Sequence, residues 1–136
     1  MAGQFDVHVV TTLIPDPGAD NKQIFLLKAP LDAVGGCIRL IGAYAINGAA
    51  TGAGTSFSYA LHKYSSAGTP AVNGTIAPAI GGTAATIWAD AVPQTFVLDS
   101  TYAVIDAGEW VVLDYQEDNA SAPTNSTVVL QYVMGK

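Results

Sequence analysis

Two histidines, one cysteine and eleven carboxylates are the side chains here that could serve as bases, nucleophiles or metal ligands. Nucleophilic catalysis needs a nucleophile, a base beside it and a group that orients the base. His8 and His62 are the ordinary candidates for a base at neutral pH. His8 falls on the polar side of an alternating run, and His62 stands beside Lys63; no spacing ties either to Cys37. Cys37 follows Gly35-Gly36 and leads an apolar run, the setting of a buried thiol. The Gly-x-Ser-x-Gly elbow of a hydrolase is absent.

The carboxylates offer little more. Asp114 and Gln116 share one side of an extended run, with Glu117 and Asp118 just after it, and Asp106 and Glu109 flank a turn. A glycosidase holds two carboxyl groups across a cleft. A chain of 136 residues with simple loops leaves little room for one. These acids are therefore expected to be solvated strand ends, and no enzymatic activity is expected. Asp16, Asp20 and Asn21 form one oxygen-rich loop, and Glu117, Asp118 and Asn119 a second. Neither has the spacing of a calcium-binding EF-hand loop. Gly81-Gly82-Thr83 lacks the lysine of a phosphate-binding loop. Neither a metal nor a cofactor is expected.

Any site must be positioned by strands, because the hydrophobic period is two. Phe5 to Ile14 alternates, with Phe5, Val7, Val9 and Leu13 on one side, and stops at Pro15-Asp16-Pro17-Gly18. Gln23–Ala29, Cys37–Ile46 and Thr55–Ser65 give three more strands. Ser66 to Gly82 reads as a long uncharged loop, with an Asn73-Gly74 turn signal and a break at Gly81-Gly82. Thr86–Ala89, Gln94–Leu98, Trp110–Gln116 and Thr127–Val133 complete eight. Leu31–Val34 and Thr101–Ile105 could each hold one helical turn, too short for a stable helix. About eight short strands bounded by Gly, Pro and Asn imply an all-β antiparallel sandwich. Eight is the jelly-roll number. The paired cysteines of an immunoglobulin domain are missing. One domain over residues 1–136 accounts for the length.

Composition narrows the function. Half the residues are hydrophobic and only 12% are charged, with 22 Ala, 14 Gly, 12 Thr and 7 Ser covering the rest of the surface. Soluble domains average about 25% charged residues. Disorder is excluded by the apolar content. A net charge of -6 argues against a nucleic-acid binder. Residues 1–63 balance four acids with four bases, whereas residues 64–136 hold seven acids and only Lys136. Between Leu40 and Ala89 the one formal charge is Lys63, so this stretch is expected in the core or against another subunit. Met-Ala-Gly-Gln-Phe-Asp has no secretory character, and no run of about 18–20 apolar residues suggests a membrane span. The Asn73, Asn119 and Asn125 sequons are therefore read as chance matches.

Two segments carry a family resemblance. One is Ala89-Asp90-Ala91-Val92-Pro93-Gln94-Thr95-Phe96-Val97-Leu98. The other is Tyr102-Ala103-Val104-Ile105-Asp106-Ala107-Gly108-Glu109-Trp110-Val111-Val112-Leu113-Asp114-Tyr115. Together they resemble a strand–loop–strand pattern of small tailed-bacteriophage virion proteins, over roughly residues 84–117. The Ala/Gly/Thr-rich, weakly charged style is similar to capsid decoration (cement) proteins, and to some tail or head-fibre modules. The resemblance implies a structural protein made in the host cytoplasm and placed on the capsid surface. Its implied partners are the major capsid protein and copies of itself, with trimers natural at local three-fold axes. It carries over no functional residue.

The contact candidates are the amino-terminal segment and the uncharged loop, with Thr69, Val72, Ile76, Ile80 and Trp88 as named positions. A tail, neck or fibre component is the second expectation. A carbohydrate-binding module, with Trp88, Trp110 or Tyr115 as stacking platforms, is the third.

Overall fold

The computed structural model describes residues 6–14, 22–48, 57–81, 91–117 and 126–135. These form nine strands: β1 (His8–Ile14), β2 (Lys22–Lys28), β3 (Cys37–Ile46), β4 (Phe57–Tyr64), β5 (Pro70–Ile80), β6 (Gln94–Thr95), β7 (Val104–Asp106), β8 (Trp110–Glu117) and β9 (Ser126–Met134). One short 3-10 turn, Val34–Gly36, precedes β3. Among the described residues no helix is long and apolar enough to cross a membrane.

Two antiparallel sheets make the sandwich. The first runs β1-β9-β3-β6, with β7 also on β3, and the second runs β2-β8-β4-β5. The pairing is nested: β1 with β9, β2 with β8, β3 with β6 and β7, and β4 with β5. A long hairpin folded on itself and wrapped into two sheets gives this order. It is the jelly-roll arrangement that the strand count suggested.

Alternation explains the core. Ile38, Leu40, Ala43 and Ala45 of β3 and Val128 and Leu130 of β9 face inward from the first sheet. Tyr59 and Leu61 of β4 and Val111, Leu113 and Tyr115 of β8 meet them from the second. A register shift between Leu40 and Gly42 keeps both halves of β3 in phase with the core.

Most of the weakly charged stretch from residue 40 to 89 is thereby explained. Where described, it forms the central strands β3 and β4 and the adjoining β5, and its large apolar side chains are mainly core. The expected loop from Ser66 to Gly82 is instead a turn followed by the eleven-residue strand β5. Two prolines and an Asn-Gly pair made it read as loop. An edge strand tolerates prolines because one side of its backbone has no ladder to feed. The Thr101–Ile105 segment holds a single turn and no helix, as its length implied, with the Ala103 amide donating to the Asp99 carbonyl at 2.8 Å. Asp99 Oδ1 accepts from the Thr101 and Tyr102 amides at 2.8 and 3.3 Å, and the chain then enters β7. The expected Thr86–Ala89 strand lies outside the described residues.

Candidate functional site

The sandwich has two outward faces, and they differ in chemistry. On the four-stranded sheet, Lys28, Trp110 and Tyr64 lie in one row across β2, β8 and β4, and Phe25 and His62 flank Val112 in the next. Gln23 and Asp114 follow. These groups satisfy one another. Phe25 meets Tyr64 and Trp110 edge-on, with centroids 5.5 and 5.2 Å apart. The Lys28 ammonium stands 5.2 Å from the Trp110 ring centroid. Asp114 accepts from Gln23 and Gln116 Nε2, both at 3.4 Å, and lies 3.7 Å from His62 Nε2. Burial, and then the Asp114 charge, push the Tyr64 phenol above its ordinary value.

Among the described residues, the His62–Asp114 pair is a contact that sequence spacing did not reveal. It arises from cross-strand pairing of β4 with β8. Cys37 is far from it in the fold, in β3 of the other sheet and only 1% exposed. His8 stacks on Tyr132 at 5.1 Å. Asp106 and Glu109 close the turn before β8: Glu109 Oε2 accepts from the Asp106 amide at 2.9 Å and lies 3.7 Å from Lys63 Nζ. Among the described residues no three His, Cys, Asp or Glu side chains gather as metal ligands. Asp16, Asp20, Asn21, Asp118 and Asn119 lie outside those residues. Of the stacking candidates, Tyr115 is buried in the core and the Trp110 ring is engaged by Lys28 and Phe25.

The outward face of the five-stranded sheet is uncharged, with Thr, Gln and Tyr interspersed among its apolar side chains. Its rows read Val9–Gln131–Gly42, Thr11–Val129–Tyr44–Thr95 and Leu13–Thr127–Ile46. No residue in these rows carries a formal charge. Continuing the β3–β6 register sets Val97 beside Gly42. Eight large hydrophobic side chains are exposed in the described structure, and five gather here: Val7, Val9, Leu13, Ile41 and Val97. Val97 is 69% exposed and Leu13 66%. Arg39, at one end of β3, is the nearest charge on this face by register.

The alternation of β1 is responsible. Ile14 turns into the core, so the more apolar side of the strand, with Val9 and Leu13, points outward. The three long strands β1, β9 and β3, about 4.8 Å apart, cover about 14 by 23 Å over seven residues, or roughly 330 Å².

The named contact positions divide. Thr69 is exposed in the turn before β5. Ile76 is fully buried and Ile80 packs against the core, so the first of these supports the sheet and offers no contact surface. Val72 lies in β5, its side chain outside what is described, and Trp88 lies outside the described residues. Val9 and Leu13 belong to the amino-terminal segment named as a contact candidate, whereas Ile41 and Val97, which share their face, were not named. The signal for that face was available as apolar alternation in β1, but which side of a strand is covered depends on the sheet behind it.

No family model matches the sequence, and no curated protein matches it. Among solved structures, the chain is similar to one from the structure of the infectious bursal disease virus Gx strain, at 14% identity and a TM-score of 0.42. The similarity covers 97% of this chain and 33% of that one, so this chain spans about a third of its length.

Proposed function

We propose that this chain is a virion structural protein that decorates or cements a bacteriophage head. It lies on the outer surface of the shell and docks through the outward face of its five-stranded sheet. The single observation carrying this reading is that face: three charge-free rows with Val9, Leu13, Ile41 and Val97 exposed. Fully burying one Val or Leu side chain contributes about 1.5–3 kcal/mol. Two such faces in contact total about 660 Å², the size of a small, weak contact. Around a symmetric shell, repeated weak contacts add by avidity. The acids between residues 90 and 118 then face solvent or basic patches of the capsid subunit. The resemblance of residues 84–117 to tailed-phage virion proteins favours the same reading.

Location tests it. Antibody labelling of intact virions is expected to decorate the head. Label confined to the tail would move the protein to a tail or neck role, and its absence from purified virions would end the reading.

A further inference from the structure

We propose that β1 is an assembly edge, through which two copies of this chain pair antiparallel about Thr11 and join their five-stranded sheets. Each sheet has two edges, and the molecule treats them differently. A free strand edge offers unpaired N–H and C=O groups to any other strand, and proteins guard edges with charge, proline, bulges or short length. In the four-stranded sheet, edge β2 carries Lys22 and Lys28 and a register shift between Phe25 and Leu27. Edge β5 carries Pro70 and Pro78 and is broken by three register shifts against β4. In the five-stranded sheet, β6 and β7 are two and three residues long.

The fourth edge, β1, has none of these devices. Its sequence, HVVTTLI, contains no proline and no Lys, Arg, Asp or Glu. Its register with β9 runs unbroken from His8 to Ile14. Its only sheet partner among the described residues is β9.

A second copy fits this edge. Antiparallel pairing about Thr11 sets Val9 against Leu13 of the other copy, twice, on the outward face. It sets Thr11 against Thr11 at the axis, and Val10 against Thr12 and His8 against Ile14 on the inner side. Apolar and Thr–Thr cross-strand pairs are favourable, and within His8–Ile14 no acidic or basic residues face each other. That matters because each copy carries a net charge of -6. A basic partner would be drawn to the acidic segment 90–118, not to an uncharged strand. Seven residues span about 23 Å of edge, so backbone bonds carry the contact and the dimer belongs to the small, weak class. Pairing also doubles the uncharged outward face. The inference does not rest on the shell reading.

The test is sedimentation velocity of the purified chain from low micromolar to its highest soluble concentration, with amide exchange of β1 at both ends. A concentration-dependent dimer is expected, with the β1 amides protected more strongly as it forms. Thr11→Lys, an exposed change that places two ammonium groups at the axis, should weaken the dimer at least tenfold. Val97→Lys, off the edge, should leave it intact. A wild-type chain that stays monomeric, a dimer indifferent to Thr11→Lys, or β1 exchange independent of concentration would overturn the proposal. Shell binding is scored separately: a monomer that binds shells overturns the pairing alone, and a dimer that ignores shells overturns the shell reading alone.

Discussion

The Tyr59 hydroxyl donates to Ser126 Oγ at 2.9 Å, linking β4 of one sheet to β9 of the other. The Ser126 hydroxyl in turn donates to Asn47 Oδ1 at 2.6 Å. All three residues are buried, Tyr59, Ser126 and Asn47 at 1% exposure each. Asn47 Nδ2 at the end of this chain has no partner among the described residues, so the two hydroxyl bonds carry the polar link between the sheets. Tyr59→Phe should therefore cost about 1–3 kcal/mol. Urea unfolding should show a lower midpoint at unchanged slope.

Two glycines should respond differently to the same change. A Cβ at Gly81 would run into the Phe57 carbonyl oxygen, which is backbone and cannot step aside. A Cβ at Gly42 would meet Gln131 Oε1 at 2.5 Å, the free end of a flexible side chain. Gly81→Ala should destabilise by about 1–3 kcal/mol or more, as overpacking does. Gly42→Ala should cost clearly less. Thermal midpoints of the two variants, measured side by side, check the ranking.

Tyr64 predicts an alkaline signature. Burial first, and the Asp114 carboxylate second, raise its phenol above the ordinary value of 10.0. The folded state therefore holds this proton after the unfolded state has lost it. Its contribution to stability is complete below about pH 10 and is lost as pH rises through the folded value. Ultraviolet titration of the wild type against Tyr64→Phe should show Tyr64 ionising above the ordinary value. Asp114→Asn should move that titration to lower pH, and an unmoved curve would remove Asp114 as a cause.

Cys37 should be chemically silent until the chain opens. Its side chain is 1% exposed, and its carbonyl accepts from the Gly135 amide at 2.8 Å. A thiol reagent should label it at the rate of opening and not at the rate of a free thiol. Rapid labelling of the native chain would contradict this placement.

Much of the fold was legible in the sequence. The bounds of β3 coincide with the alternating run from Cys37 to Ile46, because Gly35-Gly36 and Asn47-Gly48 punctuate it clearly. The jelly-roll reading held because strand number and turn chemistry are local signals. What failed was non-local. β5 hid behind Pro70, Asn73-Gly74 and Pro78, residues that mean loop unless the strand is known to be an edge. β7 is three residues long and stands only through its pairing with β3. The outward face was legible only in part for the same reason: Val9 and Leu13 look like core until Ile14 is seen to take the inner side. The pairing of His62 with Asp114 needed the β4–β8 register, which no spacing encodes.

The most direct test of the account is binding of the purified chain to phage heads that lack it, with two variants made away from β1. Ile41→Asp combined with Val97→Asp places charge on the uncharged outward face, at side chains 45% and 69% exposed, and should leave the fold intact. Thr75→Asp places a single carboxylate on an exposed position of the other sheet. The account predicts that the double variant loses at least tenfold in head binding while Thr75→Asp binds as the wild type does. Undiminished binding by the double variant would contradict it.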